Sequence, residues 1–261
     1  MRCAILDDYQ NVALKMADWS AISKTVEIKV FNQWIPTAQV PAALKGFEIV
    51  CAMRERTRFP KQVLEALPDL RLLISTGMRN AAIDVKAANE RGVVGLGKLG
   101  TRIANIAKAF GMNVIAWSQN LTPEKCQEAG VTYASKEDLF RTADIVSIHL
   151  MLSDRSRGLI GAKDLALMKP TAYLINTARA AIVDQAALLA VLTERRIAGA
   201  GLDVFETEPL PLDSPLRGLD NVVITPHLGY VSVQAYEVYF REIVEDIRAF
   251  LDGKPMRVIP V

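Results

Sequence analysis

The sequence predicts an α/β fold built from doubly wound parallel sheet in two domains, and three observations support it. Short apolar runs alternate with helix-like stretches along the whole chain, the pattern of parallel strands joined by crossover helices. A glycine turn, Val94-Gly95-Leu96-Gly97-Lys98-Leu99-Gly100, separates one series of such units from a second. The 261 residues suffice for two modest domains, each burying its own core.

In the first domain, residues 1-91, the run RCAIL at 2-6 stops at Asp7-Asp8, as a buried parallel strand does before its loop. Val12, Leu14, Met16 and Trp19 mark a helical stretch, and apolar runs near 26-31, 47-51 and 71-75 give three further strands. Open α/β sheets hold ligands beyond the carboxyl ends of their strands. Two loops in that position carry Arg54-Glu55-Arg56 and Ser75-Thr76-Gly77-Met78-Arg79-Asn80. The arginines read either as solvated surface or as an anion site.

The second domain, residues 92-228, opens on the glycine turn, whose GxGxxG spacing is that of a dinucleotide-binding turn. Gly95 allows the tight turn, Gly97 lets the backbone approach a pyrophosphate, and Gly100 lets the next helix pack on its strand. Phosphate would sit at that helix's N-terminus, beside Lys98 and Leu99. A helix over 101-111 and a strand over Met112-Trp117 follow.

An acidic residue for the ribose 2′-hydroxyl is expected about 20 residues beyond such glycines. Here the strand runs out as Ala116-Trp117-Ser118-Gln119-Asn120, with Ser118 as the cofactor-facing candidate and no carboxylate. A 2′-phosphate meets no repulsion there, and no arginine close by in the sequence attracts one. NAD and NADP both stay open.

Thr122-Pro123 starts a helix, and Ser135 with Asp138 starts another in a capping-box pattern. Strand Asp144-His149, helix 163-168, strand Tyr173-Asn176, helix Gln185-Glu194, and strands Ala198-Asp203 and Val222-Thr225 are expected to continue one sheet. A last helix, roughly 233-252, sets Tyr236, Phe240, Ile243, Ile247 and Phe250 at helical spacing and ends at Gly253 and Pro255.

Composition narrows the function classes. A chain 51% hydrophobic and 23% charged is of ordinary globular type. Its net charge of +2, without a basic cluster, argues against a nucleic-acid partner. Cys3, Cys51 and Cys126 are odd in number and form no CxxC pair, which suits buried thiols in a reducing compartment and no metal site. The N-terminus reaches acidic residues too soon for a secretory signal, and no uncharged run is long enough to span a bilayer. A cytoplasmic protein without a membrane partner is expected.

Three loop residues have complementary chemistry. His227 follows strand Val222-Thr225, Arg179 follows Tyr173-Asn176, and Glu208 follows Ala198-Asp203. Parallel strands of one sheet would open all three loops toward the same edge. There a Glu, a His and an Arg supply an orienter, a general acid/base and an anion clamp. His149, the other histidine, reads as a pocket wall or, preferably, a satisfied core residue.

These segments carry a resemblance. VGLGKLG resembles the cofactor turn, LINTARAAIVD the arginine segment, GAGLDVFETEP the glutamate segment and TPHLG the histidine segment of the D-isomer-specific 2-hydroxyacid dehydrogenases. The resemblance implies an NAD(P)-dependent oxidoreductase acting on a small 2-keto or 2-hydroxy acid. It also implies a Rossmann cofactor domain, a smaller flavodoxin-like substrate domain, and a C-terminal helix over 229-261 returning toward the latter.

By the same resemblance Arg179 would bind the substrate carboxylate and carbonyl oxygen. His227 would pass a proton to that oxygen, and Glu208 would hold the imidazole and stabilise its cation. Arg54, with backbone N–H groups around Gly77 and Met78, would form the carboxylate pocket. Asp203 would face the nicotinamide end, with Thr177, Ala178 and Gly229 also at the cofactor.

One departure stands out. Family members carry several dozen residues between the substrate domain and the glycine turn, including a hinge helix and a dimer-contact loop. Here Ala87-Ala88-Asn89-Glu90-Arg91-Gly92 runs directly into Val93-Val94-Gly95. The surface that segment covered must be repacked, covered by a partner or left as an apolar patch. The family-type homodimer is therefore in doubt, and a nucleotide-binding member with impaired or no turnover is the alternative reading.

Overall fold

The computed structural model describes residues 1–54, 56–76 and 98–258, with the side chains of Lys98 and Leu99 outside that description. The chain divides into two compact units, Met1–Glu90 with Tyr230–Val261, and Arg91–Gly229.

The first unit holds strands β1 (Arg2–Ile5), β2 (Glu27–Val30), β3 (Ile49–Ala52) and β4 (Leu72–Ser75) and short helices α1 (Val40–Ala43) and α2 (Lys61–Glu65). All strand pairs are parallel, in the order β2-β1-β3-β4, the doubly wound order of the flavodoxin-like class. Both faces are covered. Cys3, Ile5, Ile49, Cys51 and Ile74 point to one side, where they meet Trp19 and the buried stripe of the C-terminal helix. Ala4, Leu6, Val50 and Ala52 point to the other, against Val40, Leu44, Phe59, Val63 and Leu67. A strand buried on both faces loses the polar/apolar alternation, and β3 is buried at all four positions.

The helix expected through Val12 to Trp19 does not form. Two 3-10 turns stand there, Ala13–Lys15 and Trp19–Ala21. Two carboxylates are the cause. Asp8 accepts from the N–H groups of Val12 and Ala13 at 3.1 and 2.8 Å, and Asp18 accepts from Ser20 N–H. Each caps a new turn and so interrupts a continuous helix.

In the second unit, α3 (Lys98–Ala109) precedes β5 (Ile115–Ala116), α4 (Pro123–Glu128), β6 (Thr132–Tyr133) and α5 (Lys136–Thr142). Then come β7 (Ile145–Ile148), α6 (Ala162–Leu165), β8 (Tyr173–Asn176), α7 (Gln185–Thr193), β9 (Gly199–Leu202) and β10 (Val222–Ile224). The expected caps are present: Thr122 and Ser135 accept from the N–H groups of Lys125 and Asp138. Strand β5 is shorter than the expected Met112-Trp117. Gly111, at φ +76°, and Met112 instead close α3, their N–H groups bonding Lys108 and Ala107 carbonyls in a Schellman motif.

Among the described residues the strands of this unit do not form one sheet. They fall into a four-stranded parallel sheet, β10-β9-β8-β7, and a separate two-stranded one, β5-β6. One face of the larger sheet is core, with Val146, Ile148, Leu174, Ala200 and Leu202 buried against α5, α6 and α7 residues such as Phe140, Leu165 and Leu188. The opposite face leaves Ile145, Tyr173 and Val223 exposed, and α3 exposes Ile103 and Ile106, with Phe110 just beyond it. The joint at Gly92-Val93 lies outside the described residues.

The final helix, α8 (Val233–Leu251), belongs to the first unit. Tyr236, Phe240, Ile243, Val244 and Ile247 form its buried stripe, with Phe240 against Trp19 and Tyr236. Ser232 caps its start by accepting from Ala235 N–H.

Candidate active site

His227 sits three residues beyond β10 in a left-handed backbone conformation, φ +54°, which a non-glycine residue adopts only when its surroundings hold it. Its N–H bonds the Thr225 carbonyl at 3.0 Å across Pro226. This tight turn aims the ring at Glu208, on the loop after β9. His227 Nδ1 and Glu208 Oε2 are 2.8 Å apart, with side-chain exposures of 14% and 22%. The carboxylate is itself fixed, since its Oε1 accepts from Phe205 N–H at 2.9 Å. A carboxylate on Nδ1 selects the tautomer and orientation of the ring and assigns proton exchange to Nε2.

Asp203, buried at the end of β9, braces the histidine loop. Its Oδ1 accepts from Leu228 N–H at 2.7 Å and from the Thr225 hydroxyl, and its Oδ2 from Gly229 N–H at 2.8 Å. A Cβ at Gly229 would lie 3.1 Å from Asp203 Oδ2, so the close approach is what glycine permits there. The family resemblance assigns Asp203 and Gly229 to the cofactor. The Asp203 carboxylate holds Gly229 and the rest of the His227 loop, and only tertiary structure could reveal that bracing.

Arg179 follows β8 on a turn held by Asn176, a residue outside the set expected from the motifs. The buried Asn176 amide accepts from Ala178 N–H at 3.0 Å and donates to the Arg179 carbonyl at 3.1 Å, the local mimicry of a turn that asparagine favours. An Asn at a strand's end, three residues before an arginine, was the available signal. Arg179 Nη1 bonds the Ala178 carbonyl at 2.7 Å. Thr177 is exposed and Ala178 partly so on the same turn.

The loops after β8, β9 and β10 thus open at one carboxyl edge, since these strands are parallel neighbours. His149, just past β7, is half-buried and bonds the Ser147 hydroxyl through Nε2 at 2.9 Å. It is not the core histidine preferred from sequence, although burial pushes its pKa down.

A dinucleotide has a testable fit. Ser118 follows β5 at the position where a ribose contact is expected, and its hydroxyl is buried without a hydrogen-bond partner among the described residues. Such an orphan costs about 1–3 kcal/mol, and a ribose oxygen would relieve it. Gly100 is buried in the first turn of α3, and Lys98 and Leu99 lie in the same turn. Gly95 and Gly97 lie outside the described residues, as do Gly77 and Met78. Among the described residues, no group of three or more His, Cys, Asp or Glu could hold a metal ion. No described helix is long and apolar enough to cross a membrane.

The first unit has its own polar cluster at the carboxyl ends of β1, β3 and β4. Arg54, at φ +55°, has its N–H on the Thr76 hydroxyl at 3.0 Å and its guanidinium 5.3 Å from the centre of the Tyr230 ring. Arg56 stacks on Tyr9 at 4.4 Å and bonds the Asp7 carbonyl at 2.8 Å. The arginines are therefore built into the sheet edge and are not solvated surface. Asp7 accepts from Thr57 and Tyr9 hydroxyls at 2.7 and 3.1 Å, and burial pushes its pKa up against these bonds and the Arg56 charge.

Comparison with known proteins fits this geometry. Residues 71–229 match the profile described as D-isomer specific 2-hydroxyacid dehydrogenase, NAD binding domain. The chain is 47% identical over 163 residues to a glyoxylate reductase of Aeropyrum pernix, which covers 62% of this chain and 49% of the relative. It is 41% identical over 166 residues to a D-3-phosphoglycerate dehydrogenase of Synechocystis, covering 64% and 30%. The chain thus spans about half the length of the glyoxylate reductase it matches. A solved phosphoglycerate oxidoreductase of Vibrio cholerae superposes with a TM-score of 0.86 at 31% identity, over 97% of this chain and 99% of that one. Apo D-lactate dehydrogenase of Escherichia coli shares the fold at a TM-score of 0.76 and 20% identity, over 98% and 99%.

Proposed function

Because the chain belongs to the D-isomer-specific 2-hydroxyacid dehydrogenase family, we propose that it transfers a hydride between NAD or NADP and a small 2-keto or 2-hydroxy acid. The observation that carries this reading is the 2.8 Å His227–Glu208 pair on a loop braced by Asp203. The bound nicotinamide supplies or accepts the hydride.

The chain's own residues handle the proton and the substrate's charge. Glu208 accepts from Nδ1–H, so Nε2 gives a proton to the carbonyl oxygen in reduction and takes it back in oxidation. Arg179 presents a planar fork suited to a carboxylate and the adjacent carbonyl oxygen. The family resemblance assigns Arg54, Gly77 and Met78 to the substrate carboxylate. Ser118, Thr177, Ala178 and the glycine turn with Lys98 and Leu99 hold the cofactor. Asp203 and Gly229 position His227.

Glyoxylate and other short 2-keto acids share the carboxylate–carbonyl handle these residues address. A non-catalytic nucleotide binder gains no support from the comparisons. The buried free cysteines favour a reducing, cytoplasmic setting, and the net charge of +2 offers no support for a nucleic-acid partner. Purified protein assayed with NADH and NADPH against glyoxylate, hydroxypyruvate and pyruvate is expected to turn over at least one pairing. No turnover in any pairing, with nucleotide still bound, would replace the enzyme by the non-catalytic binder.

A further inference from the structure

We infer that the cofactor site of this chain takes the 2′-phosphorylated dinucleotide, with Arg155 as the specificity-determining cation; this rests on the dehydrogenase reading above. Sequence alone offers no arginine near the ribose position, because the residue that fills the role is far along the chain. Arg155 lies on the loop after β7 and reaches the segment after β5. Its Nη2 donates to Asn120 Oδ1 at 3.3 Å, and its carbonyl accepts from Gln119 Nε2 at 3.2 Å. The two loops are thereby tied together one and two residues beyond Ser118, whose buried hydroxyl has no hydrogen-bond partner among the described residues.

The local chemistry favours a phosphate over a ribose diol. A diol is selected by a carboxylate that accepts from both hydroxyls, and the run Trp117-Ser118-Gln119-Asn120 has none. A 2′-phosphate needs a cation and hydroxyl or amide donors. Arg155, Ser118, Gln119 and Asn120 supply both. Arg155 is exposed, and its bond to a neutral amide at 3.3 Å is long, so a dianion can compete for its guanidinium. Lys136, also in this region with its Nζ 5.8 Å from the Trp117 ring, is already engaged by Asp164 at 2.8 Å.

Titration of the full chain with NADPH and NADH, followed by calorimetry or nicotinamide fluorescence, tests this without turnover. NADPH is expected to bind more tightly, and 2′,5′-ADP more tightly than AMP, with the preference shrinking as salt rises. Arg155→Ala, at an exposed position, should cut the NADPH-over-NADH ratio by about 10–100-fold, the loss of one charge-assisted contact. Ser118→Asp should invert the preference. Equal or tighter binding of NADH by the unmodified chain overturns the inference and leaves the dehydrogenase reading standing. Equal weakening of both dinucleotides by Arg155→Ala also overturns it. Binding of neither removes the cofactor reading itself.

Discussion

The two units solve the same packing problem differently. In the first, the four-stranded sheet is covered on both faces, by α8 and Trp19 on one side and by α1, α2 and Phe59 on the other. In the second, the four-stranded sheet has one buried face, and Ile145, Tyr173 and Val223 stand exposed on the other. Parallel sheets normally need both faces covered. The half-open sheet belongs to the unit that carries Arg179, Glu208 and His227. The edge that carries His227 is nevertheless tightly built, since Asp203, just past β9, holds the backbone of Leu228 and Gly229.

Substitution at the two faces should expose that difference most strongly. Ile49→Ala in the first unit and Leu174→Ala in the second remove fully buried side chains and should each cost about 2–5 kcal/mol in denaturant unfolding. Val223→Ala, at a position 70% exposed, should stay within about 0.5 kcal/mol. A cost for Val223→Ala approaching that of Leu174→Ala would mean that something covers the open face in solution.

Next in size is the brace itself. Asp203→Asn replaces an acceptor of Leu228, Gly229 and Thr225 donors with a group whose NH₂ opposes another N–H. Turnover is expected to fall about 100-fold, since a displacement of about 1 Å at a catalytic group costs that much. Hydrogen exchange at Leu228 and Gly229 should accelerate in parallel. Unchanged exchange and turnover together would free the loop from Asp203.

A smaller effect distinguishes the buried edge of the first unit. Burial raises the Asp7 pKa in the folded state, so the native protein holds a proton that the unfolded chain releases near pH 3.8. The stability this contributes is full below that pH and is lost as pH rises through the folded value. Asp7→Asn cannot ionise. Its thermal midpoint should therefore gain on the unmodified protein as pH rises across this window and then run parallel. A difference constant with pH would contradict the assignment.

Much of this arrangement is legible from residues that act locally. Strand β8 and helices α7 and α8 lie within a residue or two of their expected limits, because apolar spacing and the capping residues Asp184 and Ser232 agree. The stretch around Leu14 misleads because Asp8 and Asp18 use their carboxylates to start turns, a competition that apolar periodicity does not register. At the site, Arg179, Glu208 and His227 could be named from loop position. The Asp203 brace and the Arg155 contact could not, as they join residues 22 to 35 positions apart through tertiary structure.

The central claim, that the His227–Glu208 pair moves the proton while hydride is transferred, is tested most directly by the turnover of His227→Ala. Cofactor binding measured by titration should change little, and turnover with the best keto acid should fall about 10²–10⁴-fold, the usual worth of general acid catalysis. Full turnover in that variant would contradict the account.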